Sequence, residues 1–270
     1  PAAPPWKTTV NLGFDGVRAR YEGLPYRLDG IRGRVAITDD RIDLDRLTGW
    51  HGRTRVMIDG AVDRLADGGQ RLDVALSADS LAIDEALLRA LPSSSRAMLD
   101  HYGLGGLCDL SGRLWRGPGD ARLRYELDAR MKEAWIHPER FRYRLDSVSG
   151  LVHLTPTVAE LAGLTGRHGA ATVTVSGTMG MGGGDQADDS HGSVSLAIGM
   201  RDLPLDKDLW SALPGPVQTT WASLNPSGTI HADVDLKVDP VAGVDWRADL
   251  TLLSDRFEYD RFPLRRKSVV

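Results

Sequence analysis

The chain has 270 residues, 41% hydrophobic and 26% charged, with a formal net charge of −4. That is enough apolar material for a sizeable core, and a charge balance that leaves no cationic footprint for nucleic acid. Cys108 is the only cysteine, which excludes a disulfide framework and a cysteine-based zinc site, and no apolar run approaches the roughly 20 residues of a membrane span.

In chain order, residues 1–25 open on PAAPPWKTTV, without Met or a signal segment, and read as the end of a preceding unit in a fragment of a longer protein. From Tyr26 onward, apolar and polar residues alternate. Val35 with Ile37, Val56 with Ile58, and Leu72 with Val74 and Leu76 each place one apolar side chain every second residue, the period of a half-buried strand. A helical interruption follows: Asp84 is a candidate N-cap, Ile83, Leu87, Leu88 and Leu91 recur at helical spacing, and Pro92 closes the segment. A second short helix is expected through Leu99 and Tyr102. Alternation then resumes, as in Leu123, Tyr125, Leu127, Ala129 and Met131.

At Tyr143 the pattern begins again. YRLDGIRGRVAIT from Tyr26 aligns with YRLDSVSGLVHLT from Tyr143, and residues 26–60 share 15 identities in 35 positions with the segment 117 residues later. The duplication brings Val152, Leu154, Val173, Val175, Leu196 and Ile198, then a second N-cap candidate in Asp206, a helix through Leu205, Leu209, Trp210 and Leu213, and Pro214. A further helix through Trp221 and Leu224 precedes the strand TIHADVDLKV. The repeat units are 26–142 and 143–261, with 262–270 starting a third, and six or seven strands fit in each. Antiparallel pairing explains the alternation, because one face is dry and the other wet. The five extra residues of the second unit fall in the Gly- and Asp-rich MGMGGGDQADDSHG, a surface turn.

Catalytic signatures are missing. The sequence carries no G-x-S-x-G elbow, phosphate loop or H-E-x-x-H helix, and the seven histidines form no metal-binding pair. No catalytic residue, metal site or cofactor is expected. The pair LTGWHG and LTGRHG, with His51 and His168 at the same offset, invites a paired-site reading. The flanking Leu, Thr and Gly recur with the histidine, which favours a repeated turn. Cys108 aligns with Ile230 and is expected to behave as an apolar inward residue.

The motif order, an aromatic or Leu-Pro start (LPYRLDGIRGRV, FRYRLDSVSGLV), L-x-G-x-x-G, V-x-[IV]-x-G, then LD..L..ALP, resembles the AsmA-like superfamily of bacterial envelope proteins, with its TamB-type and YhdP-type members. The resemblance covers nearly all of the chain through short, degenerate motifs. It implies a mostly β chain whose repeated antiparallel strands form a curled, elongated sheet, a groove with an apolar inner surface; the apolar stripe of the one short amphipathic helical segment per repeat is expected to lie over the dry face, or across its mouth, as a lid. It further implies a periplasmic protein tethered to the inner membrane through a region outside this chain, with phospholipid and inner- and outer-membrane envelope proteins as partners, conducting acyl chains in support of outer-membrane assembly. No catalytic residues come with the family. The inward residues expected to line the groove are Val35, Ile37, Val56, Ile58, Val74, Leu76, Leu110, Val152, Leu154, Val173, Val175, Leu196, Ile198, Ile230, Val234, Leu236, Leu250 and Leu252. The alternative is a non-catalytic structural array, stalk or adhesin-like, in which the same alternation closes each unit into its own β-sandwich.

Overall fold

The computed structural model describes residues 8–21, 24–66, 68–91, 93–120, 122–139, 141–181, 193–213, 215–224 and 226–253. The strands run in order: β1 (Thr9–Tyr21), β2 (Leu24–Thr38), β3 (Arg41–His51), β4 (Thr54–Arg64), β5 (Gln70–Ile83). Helices α1 (Glu85–Ala90) and α2 (Ser93–Tyr102) come next, then β6 (Leu104–Arg116), β7 (Arg124–Ile136), β8 (Leu145–Leu154), β9 (Val158–His168), β10 (Ala171–Gly180) and β11 (Val194–Pro204). Helices α3 (Lys207–Ala212) and α4 (Gly215–Leu224) lead into β12 (Thr229–Asp239) and β13 (Gly243–Leu252).

All strands join one 13-stranded sheet in which each pairs antiparallel with its chain neighbours, and the sheet does not close into a barrel. The fold is therefore the mostly β, curled and elongated sheet that the alternation and the resemblance led us to expect. Four strands, a helix pair and two strands occur in the order β2–β7, and again in β8–β13. Pairing runs without a break from β7 into β8, with Ala129 opposite Val152. The two units thus share one sheet rather than closing into separate sandwiches. Leu123, grouped by alternation with the β7 residues, lies just before that strand and is exposed. Of the expected turn at 179–192, Met179 and Gly180 belong to β10 and residues 182–192 lie outside the described residues, as does the third unit at 262–270.

Curvature comes from irregularities at matched positions. Bulges interrupt the ladder around Arg46, Ser80 and Gly30 in the first unit and around Gly163, Asp202 and Ser147 in the second. All six residues have positive φ, between 47° and 62°. A bulge adds one residue to one strand, bends it and increases its twist. Gly60 and Gly177, at φ 145° and 138°, sit in mid-strand, where an added Cβ would lie 2.2 Å from the Asp73 carbonyl oxygen and 2.1 Å from that of Ser195. Only glycine permits so close an approach of neighbouring strands, and such kinks curl a sheet toward one face.

The helices roof one margin of that face. Asp84 caps α1 by accepting from the Ala86 and Leu87 backbone N–H groups, and Asp206 caps α3 through Leu209 N–H. Helix α1 packs on β5 and reaches across to β2. Leu87 joins a cluster built on Val56, Ala78, Leu81, Cys108, Met131, Ala134, Val148 and Leu164, and Leu209 and Ala212 join another with Tyr143, Ala171, Leu203 and Ile230. The elbow between paired helices is clamped. Arg96 donates to the carbonyl oxygens of Leu88, Arg89 and Leu91, and Gln218 donates to that of Trp210. These bonds give partners to carbonyl groups at the end of each first helix, which would otherwise be left without one.

Candidate functional site: an apolar trough

Cross-strand partners share a face, so the register assigns faces to the whole sheet. All eighteen sequence-predicted lining residues fall on the same face. One row runs from β3 to β13 as Leu47, Ile58, Leu76, Gly112, Leu127, Leu154, Ala159, Met179, Val194, Val238 and Val244. A parallel row, nearer the helices, runs as Gly49, Val56, Ala78, Leu110, Ala129, Val152, Leu161, Gly177, Leu196, Leu236 and Trp246. Neither row contains a charged or hydrogen-bonding side chain except the indole of Trp246. At about 4.8 Å per strand, each extends roughly 45–50 Å along the sheet.

Burial divides the eighteen. Val35, Val56, Val173 and Ile230 are buried and serve the protein's own core. Leu250 and Leu252 are exposed on β13, the last of the described strands. The other twelve, Ile37, Ile58, Val74, Leu76, Leu110, Val152, Leu154, Val175, Leu196, Ile198, Val234 and Leu236, are half-buried, packed by their strand neighbours and, among the described residues, without a second layer over them. A sheet with one apolar face ordinarily covers it with another layer. Here the helices do so along one margin and leave the rest as an open trough.

The opposite face is polar and laced with ion pairs. Arg113 binds Asp73 at 2.6 Å, Arg41 binds Asp43 at 2.7 Å, and Lys132 binds Asp109. Arg113 holds the Asp73 carboxyl below its ordinary range. Polar side chains also cap the bulges: the Arg46 N–H donates to Asp59 and the Ser80 N–H to Asp109, each at 3.0 Å. In the second unit the Gly163 N–H donates to Ser176 at 3.1 Å and the Asp202 N–H to His231 at 3.2 Å. The acceptor position is kept while its chemistry changes from carboxylate to hydroxyl or imidazole.

The two matched histidines do not meet. His51 Nδ1–H donates to the Arg27 carbonyl oxygen at 2.8 Å and its ring stacks on Tyr26 at 4.1 Å. His168 repeats this with the Arg144 carbonyl at 2.7 Å and Tyr143 at 3.9 Å. Each ties the end of one strand to the start of the strand before it. Cys108 is buried and its thiol is pushed up to about 11 by burial, which removes it as a nucleophile near neutral pH. Among the described residues no group of three or more His, Cys, Asp or Glu is placed to hold a metal ion, and no helix is long and apolar enough to cross a membrane.

Sequence reading missed the partners of the trough. Tyr26, Tyr143 and Leu203 anchor the roofed margin, and the non-glycine bulges at Arg46, Ser80 and Asp202 shape it. The tyrosines were legible as identical positions of the repeat; a positive φ at Arg, Ser or Asp leaves no comparable trace. Comparison of the chain with protein-family models, with curated proteins and with solved structures finds no match.

Proposed function

We propose that this chain is a segment of an AsmA-like envelope protein whose apolar trough binds phospholipid acyl chains and conducts them between the inner and outer membranes, without catalysis. The reading places the parent protein in the periplasm, tethered to the inner membrane through a region outside this chain, with envelope membrane proteins at either end. The observation that carries it is the uncharged row from Leu47 to Val244, running across the strands and open on one side.

The physics favours a long, mobile apolar occupant. Each methylene removed from water contributes about 0.8 kcal/mol, and a trough of roughly 45–50 Å exceeds the roughly 15 Å of one acyl chain in a leaflet. Several chains therefore fit in series. With no polar anchor in the rows, nothing holds a chain at one register, which suits conduction better than storage. Protein folding its own second layer onto the trough is the competing use of the same surface, and occupancy separates the two.

The test is native mass spectrometry of the purified protein with lipid extraction. Val175 and Val234 both pair with Ile198 and stand in one row. Co-purified phospholipid that is displaced in Val175→Trp and Val234→Trp supports the reading. A lipid-free protein that also takes up no phospholipid from vesicles sinks it.

A further inference from the structure

On the polar face, where β7 of the first unit meets β8 of the second, one histidine sits among carboxylates. His153 Nδ1 lies 2.8 Å from Asp128 Oδ1 and Nε2 lies 3.6 Å from Glu126 Oε1, both on β7. Directly opposite on the other side, His153 pairs in register with Glu160 of β9. The cations beside the group are Arg130 of β7, opposite Leu151, and Arg113 of β6, which stands opposite Glu126 and also binds Asp73. The first unit has nothing equivalent, because Ala36 occupies the matching position. The cluster therefore belongs to the junction and not to the repeat.

We propose that His153 is a proton-operated strap at the junction of the two repeat units. As the imidazolium it donates from Nδ1 to Asp128, presents its charge to Glu126 and Glu160, and joins β7, β8 and β9 across their width. Once neutral, it leaves the carboxylates of β7 and β9 with no cation between them on β8, and the charge-assisted ties from β8 to both neighbours are lost. Protons thus tighten the polar side of a seam whose apolar side is packed by Met131, Ala134, Val148 and Leu164.

The neighbouring carboxylates, Asp128 first, raise the histidine above its ordinary value. A raised folded-state value means that the contribution is fully present below the unfolded-state value and is lost as pH rises through the folded one. The strap is closed in mild acid and open in base.

The experiment follows the His153 ring by NMR and the backbone amides of β8 by hydrogen exchange. Protection factors, which remove the intrinsic pH dependence of exchange, are compared at about pH 5.5 and about pH 8.5, either side of the ordinary histidine range. In the wild type the midpoint is expected above that of the same histidine in the urea-unfolded chain, and protection of Leu151–Leu154 is expected to fall several-fold between the two pH values. In His153→Gln the protection is expected to be independent of pH, and Asp128→Asn is expected to lower the midpoint. A midpoint at or below the unfolded value, or the same loss of protection in wild type and His153→Gln, overturns the proposal.

Discussion

Tyr143 stands in the second unit where Tyr26 stands in the first, yet only Tyr26 has a hydroxyl partner. Tyr26 hydrogen-bonds Thr54, whose hydroxyl donates onward to the Ser80 carbonyl at 2.9 Å, so three strands are linked through one buried threonine. The residue matching Thr54 is Ala171, fully buried, and among the described residues the Tyr143 hydroxyl meets no hydrogen-bonding group. Burial pushes that hydroxyl up to about 12. An unpaired buried hydroxyl costs about 1–3 kcal/mol. Ala171→Thr is therefore expected to stabilise the protein by about 1 kcal/mol, read as a higher urea midpoint. Tyr143→Phe is expected to be neutral or stabilising, whereas Tyr26→Phe destabilises. Equal effects of the two Tyr→Phe changes would contradict the assignment.

The glycine kinks carry the curl. Gly60→Ala and Gly177→Ala each place a methyl about 2 Å from a backbone carbonyl oxygen at a φ that L-residues avoid. A loss of about 2–3 kcal/mol is expected for each. Gly52→Ala is the control: its φ is 58° with open space around it, so only the left-handed backbone cost of about 1 kcal/mol applies. Chemical denaturation of the three variants distinguishes close strand approach from simple loss of glycine flexibility.

The cap at Ser80 makes part of the stability acid-sensitive. Lys132 and then the Ser80 N–H hold the Asp109 carboxyl below its ordinary range. A depressed folded-state value gives a contribution that is present above the unfolded-state value near 4 and lost as pH falls through the folded one. The stability gap between wild type and Asp109→Asn, followed by urea midpoint, is expected to shrink through that acid range. A gap that stays constant would show that Asp109 acts without its charge.

The paired histidines separate structure from lipid handling. His51→Ala with His168→Ala removes two ring stacks and two hydrogen bonds to backbone carbonyls. Each site is expected to lose about 1–2 kcal/mol, with phospholipid retention unchanged. Retention that collapses while the fold persists would return these residues to the functional site.

Much of this arrangement was legible in the chain. Period-two alternation placed Val152, Val175 and Leu236 on one face, because a strand turns each successive side chain through half a revolution. The offset of 117 put Tyr143 and His168 where Tyr26 and His51 stand, and Asp84 and Asp206 were visible as caps because a carboxylate before an apolar helical stripe satisfies orphan N–H groups. Burial was not legible in the same way. Val56 and Val175 look alike as alternating valines, but Val56 is covered in the first core cluster while Val175 stays half open.

The sequence by itself determined the strands, the repeat, the caps and the sidedness of the sheet, since each follows from local periodicity and identity. Only the tertiary structure decided that the two units share one open sheet, that α1 spans from β5 to β2 to roof one margin, and that Arg46, Ser80 and Asp202 bend the strands as bulges. Those outcomes depend on pairing partners many residues apart and on where backbone N–H groups find acceptors across strands. Alternation requires that a dry face exist; what covers it is settled by curvature, which is a property of the whole sheet.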